Sequence, residues 1–163
     1  MKNKKGFTLV ELLAVIAILA ILVIIALPNV MGMFNTAKSK SFVTEAQAIY
    51  KQVSTDFVTD NLGKSGGQEY CQYTEIDGLT VNNPKDPSAT GATCKTMQLT
   101  TTRNYYVKVN SAGKIEKFVV FDGSYAYAND DFEDGKATDI SESTVVPTDK
   151  IKSIDMTAAT IEQ

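Results

Sequence analysis

Lys5-Gly6-Phe7-Thr8-Leu9-Val10-Glu11 runs straight into Leu12-Leu13-Ala14-Val15-Ile16-Ala17-Ile18-Leu19-Ala20-Ile21-Leu22-Val23-Ile24-Ile25-Ala26-Leu27-Pro28, and this segment constrains the rest of the chain. From Leu12 to Leu27 no side chain carries a polar atom. Residues 7–27 would form a helix of roughly 31 Å at about 1.5 Å per residue, which matches a hydrocarbon core of about 30 Å. The tail before it holds Lys2, Lys4 and Lys5. By the positive-inside preference that tail stays cytoplasmic, and residues beyond 30 lie outside. A conventional secretory signal peptide shares the basic start, but its apolar run is shorter and ends in a small-x-small cleavage site. Ala26-Leu27-Pro28 is a poor match to such a site, and a carboxylate at Glu11 gives an ordinary signal no advantage. The expectation is a single-pass membrane segment with its N-terminus in the cytoplasm.

Glu11 is the most informative residue of the segment. A carboxylate within a membrane-spanning stretch costs roughly 2.5–3.5 kcal/mol on insertion scales, so its presence points to a function. A cut after Gly6 would make Phe7 a new N-terminus with a free α-amine. Glu11 would then lie one helical turn from that amine, at the positive end of the helix dipole. It could neutralise its own amine or that of a neighbouring copy. A juxtamembrane acid resting among the headgroups is the plainer alternative.

Lys5-Gly6-Phe7-Thr8-Leu9-Val10-Glu11-Leu12 resembles the class III signal of type IV pilins and related pseudopilins. The resemblance implies that a membrane-embedded prepilin peptidase cuts between Gly6 and Phe7 and N-methylates Phe7, and that Glu11 helps recruit each incoming subunit. Pro28 lies where the family often carries a helix-kinking proline, which gives it a part in assembly. Ala20 departs from the pattern, since many members have a helix-loosening glycine there. The similarity covers about residues 5 to 40.

Beyond Pro28, which lacks an amide donor and should kink or weaken the helix, helical periodicity resumes. Phe42, Ala46, Ile49, Val53 and Phe57 form one apolar stripe, and Lys38, Lys40, Glu45, Lys51, Gln52 and Asp56 take other faces. That pattern is an amphipathic helix laid on a globular head, stopping near Asn61-Leu62-Gly63. One helix from about 7 to 60 is expected, with two helices broken at Pro28 as the alternative. Residues 63–102 look irregular: Gly66-Gly67, Asp77-Gly78, Asn82-Asn83-Pro84 and Asp86-Pro87 all signal turns. Cys71 and Cys94 flank much of this region, and outside the membrane a disulfide between them is expected. Residues 104–110, 115–121 and 124–128, separated by Ser111-Ala112-Gly113-Lys114 and Asp122-Gly123, read as a three-stranded antiparallel meander packing on the helix stripe. A long helix plus a meander is also the fold the resemblance implies. The fold class is therefore α+β. The expected divisions are a leader at 1–6, a transmembrane and filament-core helix at 7–28, an amphipathic helix at 29–62 and a head at 63–163. Within the head, 63–102 is a connecting loop, 103–128 the meander and 129–163 a C-terminal region of unassigned structure.

The composition excludes several functions. The 163 residues are 44% hydrophobic and carry a net charge of −3; without Lys2, Lys4 and Lys5 the balance is 13 basic against 19 acidic residues, or −6. An acidic head with scattered lysines gives no reason to expect general nucleic-acid binding. The chain has no His and a single Arg, Arg103, so no nucleophile–base set can be assembled around an imidazole. No enzyme activity, cofactor or metal is expected. Asp130, Asp131, Glu133 and Asp134 before Gly135 could offer oxygen ligands to Ca²⁺, but their spacing does not fit an EF-hand loop and a solvated acidic loop is favoured.

The resemblance implies a structural subunit, a major pilin of a type IV pilus (a fimbrium). It would polymerise through its apolar helix into an extracellular filament for adhesion, aggregation or twitching motility. Implied partners are other copies of the chain, the prepilin peptidase, the assembly ATPase with its inner-membrane platform, and the membrane before assembly. A pseudopilin of type II secretion or DNA uptake, or a ligand-binding minor pilin, is the alternative.

Overall fold

The computed structural model describes residues 6–62, 66–82, 94–132 and 135–163. The lysine tail at 1–5, the helix stop at Gly63, the turns at Asn83-Pro84 and Asp86-Pro87, and the acids Glu133 and Asp134 lie outside the described residues. The chain separates into two compact units, residues 1–38 and 39–163.

A single helix, α1 (Leu9–Asp60), contains Pro28 without ending there. The missing amide of Pro28 removes one backbone bond from the ladder, yet helical structure continues on both sides, so the two-helix alternative does not hold. From Ser39 onward the helix buries one stripe: Phe42, Ala46, Ile49 and Val53 are fully inaccessible. Phe57 is only partly buried, closing the end of the stripe against the turn at Gly113. That glycine has φ +83° and a Cβ there would lie 3.3 Å from the Phe57 ring, so two constraints select glycine.

The expected meander is present as β4 (Asn104–Val109), β5 (Ile115–Phe121) and β6 (Tyr125–Asn129), but it is the centre of a larger sheet. The six-stranded order is β3-β1-β4-β5-β6-β7, adding β1 (Gln68–Gln72), β3 (Cys94–Lys95) and β7 (Val146–Pro147). All neighbours are antiparallel except β1 and β3. The stretch read as an irregular loop therefore supplies β1, which pairs with β4 over five registered positions, Gln68↔Val109 to Gln72↔Tyr105. A second sheet of three strands, β2-β8-β9, joins β2 (Thr80–Asn82) to a C-terminal hairpin of β8 (Ser153–Asp155) and β9 (Thr160–Glu162).

This arrangement covers the main sheet on both sides. Tyr70, Tyr105, Val107, Phe118, Val120 and Tyr127 face α1. Cys71, Tyr106, Val119, Phe121 and Ala126 face Ile154, Met156 and Ala159 of the C-terminal hairpin. Successive residues along β4 and β5 therefore point into two different apolar layers, which is why these strands read as nearly continuous apolar runs. The architecture is α+β, a long apolar N-terminal helix continuing into a stretch that packs on a mainly antiparallel sheet.

Polar anchors fix the helix on the head. Arg103 donates to both carboxylate oxygens of Glu45 at 2.7 and 3.2 Å, pairs with Asp122 at the end of β5, and lies over the Phe42 ring at 5.3 Å. Asp56, almost fully buried, accepts bonds from the Gln98 backbone N–H and the Gln52 amide, both at 2.8 Å. Asp60 accepts from the Tyr70 hydroxyl at 3.0 Å and pairs with Lys95 at 3.4 Å. An acid in the last helical turn opposes the helix dipole, and here specific donors offset that cost. Cys71 and Cys94 join β1 to β3 through a disulfide, with Cα atoms 5.7 Å apart.

Candidate functional site

The chemistry singled out in the sequence sits at the start of α1. Gly6, Phe7 and Thr8 precede the helix and are not helical. The Gly6–Phe7 bond therefore lies outside the helix, Phe7 is 90% exposed, and a Cβ built at Gly6 would meet no described atom within 4 Å.

Thr8 explains why the helix begins where it does. Its hydroxyl oxygen accepts a bond from the Glu11 backbone N–H at 3.2 Å. In return Glu11 Oε2 accepts from the Thr8 backbone N–H and from the Thr8 hydroxyl, both at 2.8 Å. The Leu12 N–H then donates to the Thr8 carbonyl at 3.2 Å, closing the first helical turn. This is a reciprocal capping box, which satisfies two of the orphan donors at a helix start. It also gives the Glu11 carboxylate two donors from its own chain, relieving part of the cost of placing it in an apolar segment.

The sequence points Glu11 toward its own or a neighbour's amine at Phe7, and the structure adds Thr8 as a partner. The signal was available, because Thr-x-x-Glu ahead of an apolar run marks a helix N-terminus. Both capping residues lie after the Gly6–Phe7 bond, so a cut there leaves the capping pair intact.

Past the cap, the large apolar side chains from Leu9 to Phe34 are exposed, between 42% for Val30 and 77% for Leu9. Apolar groups surround the helix on every side, as a membrane-crossing helix requires and a helix lying on a soluble core does not. This is the one helix among the described residues long and apolar enough to cross a membrane. Pro28 lies within that bare stretch, about 25 Å along the helix axis from Glu11 at about 1.5 Å per residue. Gly32 follows it, its carbonyl accepting from the Thr36 hydroxyl at 3.1 Å. Gly6, Phe7 and Glu11 thus cluster in sequence around the start of α1, Pro28 stands apart, and Cys71 and Cys94 belong to the second unit. Among the described residues no group of three His, Cys, Asp or Glu side chains could hold a metal ion.

Residues 1–27 match a family described as the prokaryotic N-terminal methylation motif. They carry the class III signal peptide of type IV pilin-like proteins, which include pseudopilins. No curated protein and no solved structure matches the chain.

Proposed function

We propose that the chain is the precursor of a major pilin, the bulk structural subunit of a type IV pilus. The observation that carries this reading is the methylation motif at residues 1–27 on a helix that is bare and apolar from Leu9 and continues without interruption into the helix of a folded head.

In this reading prepilin peptidase reaches the non-helical Gly6–Phe7 bond, releases residues 1–6 and N-methylates Phe7. Residues 7–28 hold the subunit in the membrane until an assembly ATPase and its platform extract it, and Pro28 gives the emerging helix a weak point. In the filament the helices bundle, and burying their apolar surface favours cohesion at roughly 25 cal/mol per Å². Glu11 pairs with the Phe7 amine of a neighbouring subunit. That pair fixes register more than it stabilises, because desolvation offsets much of the Coulomb gain. To reach the amine the carboxylate must loosen its bonds to Thr8, so capping holds it in place until the partner arrives. The head, residues 39–163, faces outward and carries the filament's adhesive and motile properties. Its role is structural.

Intact mass and N-terminal sequencing of material sheared from cells test the proposal. A chain beginning at N-methylated Phe7 in the sheared filaments is expected. A processed chain kept in the membrane fraction would replace the major pilin by a pseudopilin or minor subunit. A chain beginning after residue 26 would overturn the pilin reading.

A further inference from the structure

We infer that the outward face of α1 between Lys40 and Val58, with Leu62 just past the helix end, docks the acidic turn Glu75–Gly78 of a second copy of this chain, joining neighbouring heads front to back. The inference rests on the filament reading and adds the contact through which the heads meet.

The charges on α1 are sorted by direction. Its head acids Glu45, Asp56 and Asp60 all turn inward, and each is taken up by Arg103, the Gln98 amide, or Tyr70 and Lys95. Lys40 and Lys51 are exposed, and neither forms an ion pair among the described residues. Eleven residues apart, they fall within about 20° of each other around the helix and about 16 Å apart along it. Thr44, Thr55 and Val58 share that face and are exposed, Val58 at 62%, and Leu62 in the turn just past the helix end is 75% exposed. No acid lies on it. The result is a strip with two fixed positive charges, two large apolar side chains and short residues between them.

The complementary charge lies across the sheet. Glu75 and Asp77 are exposed and flank Ile76 in a turn closed by the Leu79 N–H on the Ile76 carbonyl at 3.2 Å. Gly78 supplies the left-handed φ of +80° that the turn needs. Ile76 packs into the apolar layer on the sheet face away from α1. The whole sheet therefore separates these acids from Lys40 and Lys51 of their own chain, and among the described residues neither acid has an ion-pair partner. A basic strip on one face and an acidic turn on the other cannot satisfy each other within one head. Between copies they meet as a heterologous contact, which extends into an open helical assembly rather than closing as a symmetric dimer. Opposite charges so placed set register and disfavour wrong neighbours.

The test uses the full-length chain in cells that make the assembly machinery. The K40E/K51E and E75K/D77K variants each change exposed side chains, and circular dichroism of the purified proteins checks that the fold is kept. Each pair is expected to lower filament recovered by shearing about tenfold at an unchanged membrane pool, and combining all four to restore recovery to within about threefold of the parent. Either pair without effect, or a combined variant as deficient as the pairs, overturns the contact. A photoreactive residue replacing Lys51 gives an independent readout. Crosslinking to residues 75–78 of another copy supports the contact, whereas capture of a different segment or another protein overturns it. Absence of the parent chain from the sheared fraction would sink the filament reading instead, and the crosslink in membrane-held chains would still decide the contact.

Discussion

Residues 6–38 and residues 39–163 handle apolar surface in opposite ways. In the first unit Leu9, Ile16, Ile24 and Met33 are 77%, 57%, 72% and 73% exposed, and the polar side chains at its start bond chiefly to one another. In the second, the sheet is covered on both faces, and among the described residues no buried side-chain polar atom lacks a partner. The head closes on itself. The first unit leaves its apolar surface bare among the described residues, as a helix that crosses a bilayer does.

The sharpest way to break the contrast is alkaline pH. Burial raises the hydroxyl pKa of Tyr70, Tyr105, Tyr106 and Tyr127, with nearby Asp60 adding to the effect at Tyr70 and Glu69 at Tyr106. A tyrosine whose folded pKa exceeds its unfolded value of about 10 contributes full stability below that pH. The contribution is lost as pH rises further, because the unfolded chain then releases protons the folded one keeps. The slope is up to about 1.4 kcal/mol per pH unit for each such tyrosine between its unfolded and folded pKa. The head should unfold cooperatively above about pH 10, seen as loss of near-ultraviolet circular dichroism with the rise of phenolate absorbance. The first unit holds no tyrosine, and its helicity in lipid should persist.

A matched pair of truncations asks the same question of single side chains. Phe118 is fully buried and meets the rings of Tyr50, Tyr127 and Phe132 at 6.1, 6.2 and 5.6 Å. Phe118→Ala should cost the head about 3–5 kcal/mol in denaturant titration. Leu19, 53% exposed, should give less than about 0.5 kcal/mol in the same assay when changed to Ala. A comparable loss from Leu19 would mean that its side chain is buried in a packed contact.

Reducing the disulfide comes next. Cys71 and Cys94 are 23 residues apart in sequence, and closing a loop of that size contributes about 3 kcal/mol by restricting the unfolded chain. Thiol reductant should lower the head's denaturation midpoint accordingly. A shift below about 1 kcal/mol would mean that the pairing of β2 with β8 already restrains the loop.

How much of this could be read beforehand follows the range of the signals. The membrane segment is local and unambiguous, since sixteen residues from Leu12 to Leu27 carry no polar side-chain atom. The stripe from Phe42 to Val53 and the meander repeat within a few residues, and both appear in the fold. β1 escaped because Gln68-Glu69-Tyr70-Cys71-Gln72 is mostly polar and lies between turn signals. What makes it a strand is its pairing with β4, more than thirty residues away, where Tyr106 and Val107 oppose Cys71 and Tyr70. The C-terminal hairpin turns on an Ala159 at φ +61°, a conformation a sequence ordinarily announces with glycine or asparagine. The Asp155 carboxylate accepts the Ala158 N–H at 2.7 Å and holds that turn. Of the candidate site, the motif around Gly6, Phe7 and Glu11 is legible in the sequence, and the structure adds Thr8 as a partner of Glu11.

That partner gives the smallest effect and the most specific one. Thr8→Val keeps the shape of the side chain and removes its hydroxyl, leaving the Glu11 N–H and carboxylate each short of one bond. Losing such a cap costs about 1 kcal/mol, confined to the first turn. Amide hydrogen exchange in lipid nanodiscs should quicken about fivefold at Glu11 and Leu12, whose N–H groups bond to Thr8, following from that free energy, while the head's melting temperature stays where it was. Thr8→Ser should restore slow exchange, because serine presents the same oxygen. If exchange is unchanged in the valine variant, Glu11 alone organises the helix start through the Thr8 backbone N–H. The carboxylate would then be free to leave for a neighbour's amine at little cost to its own helix.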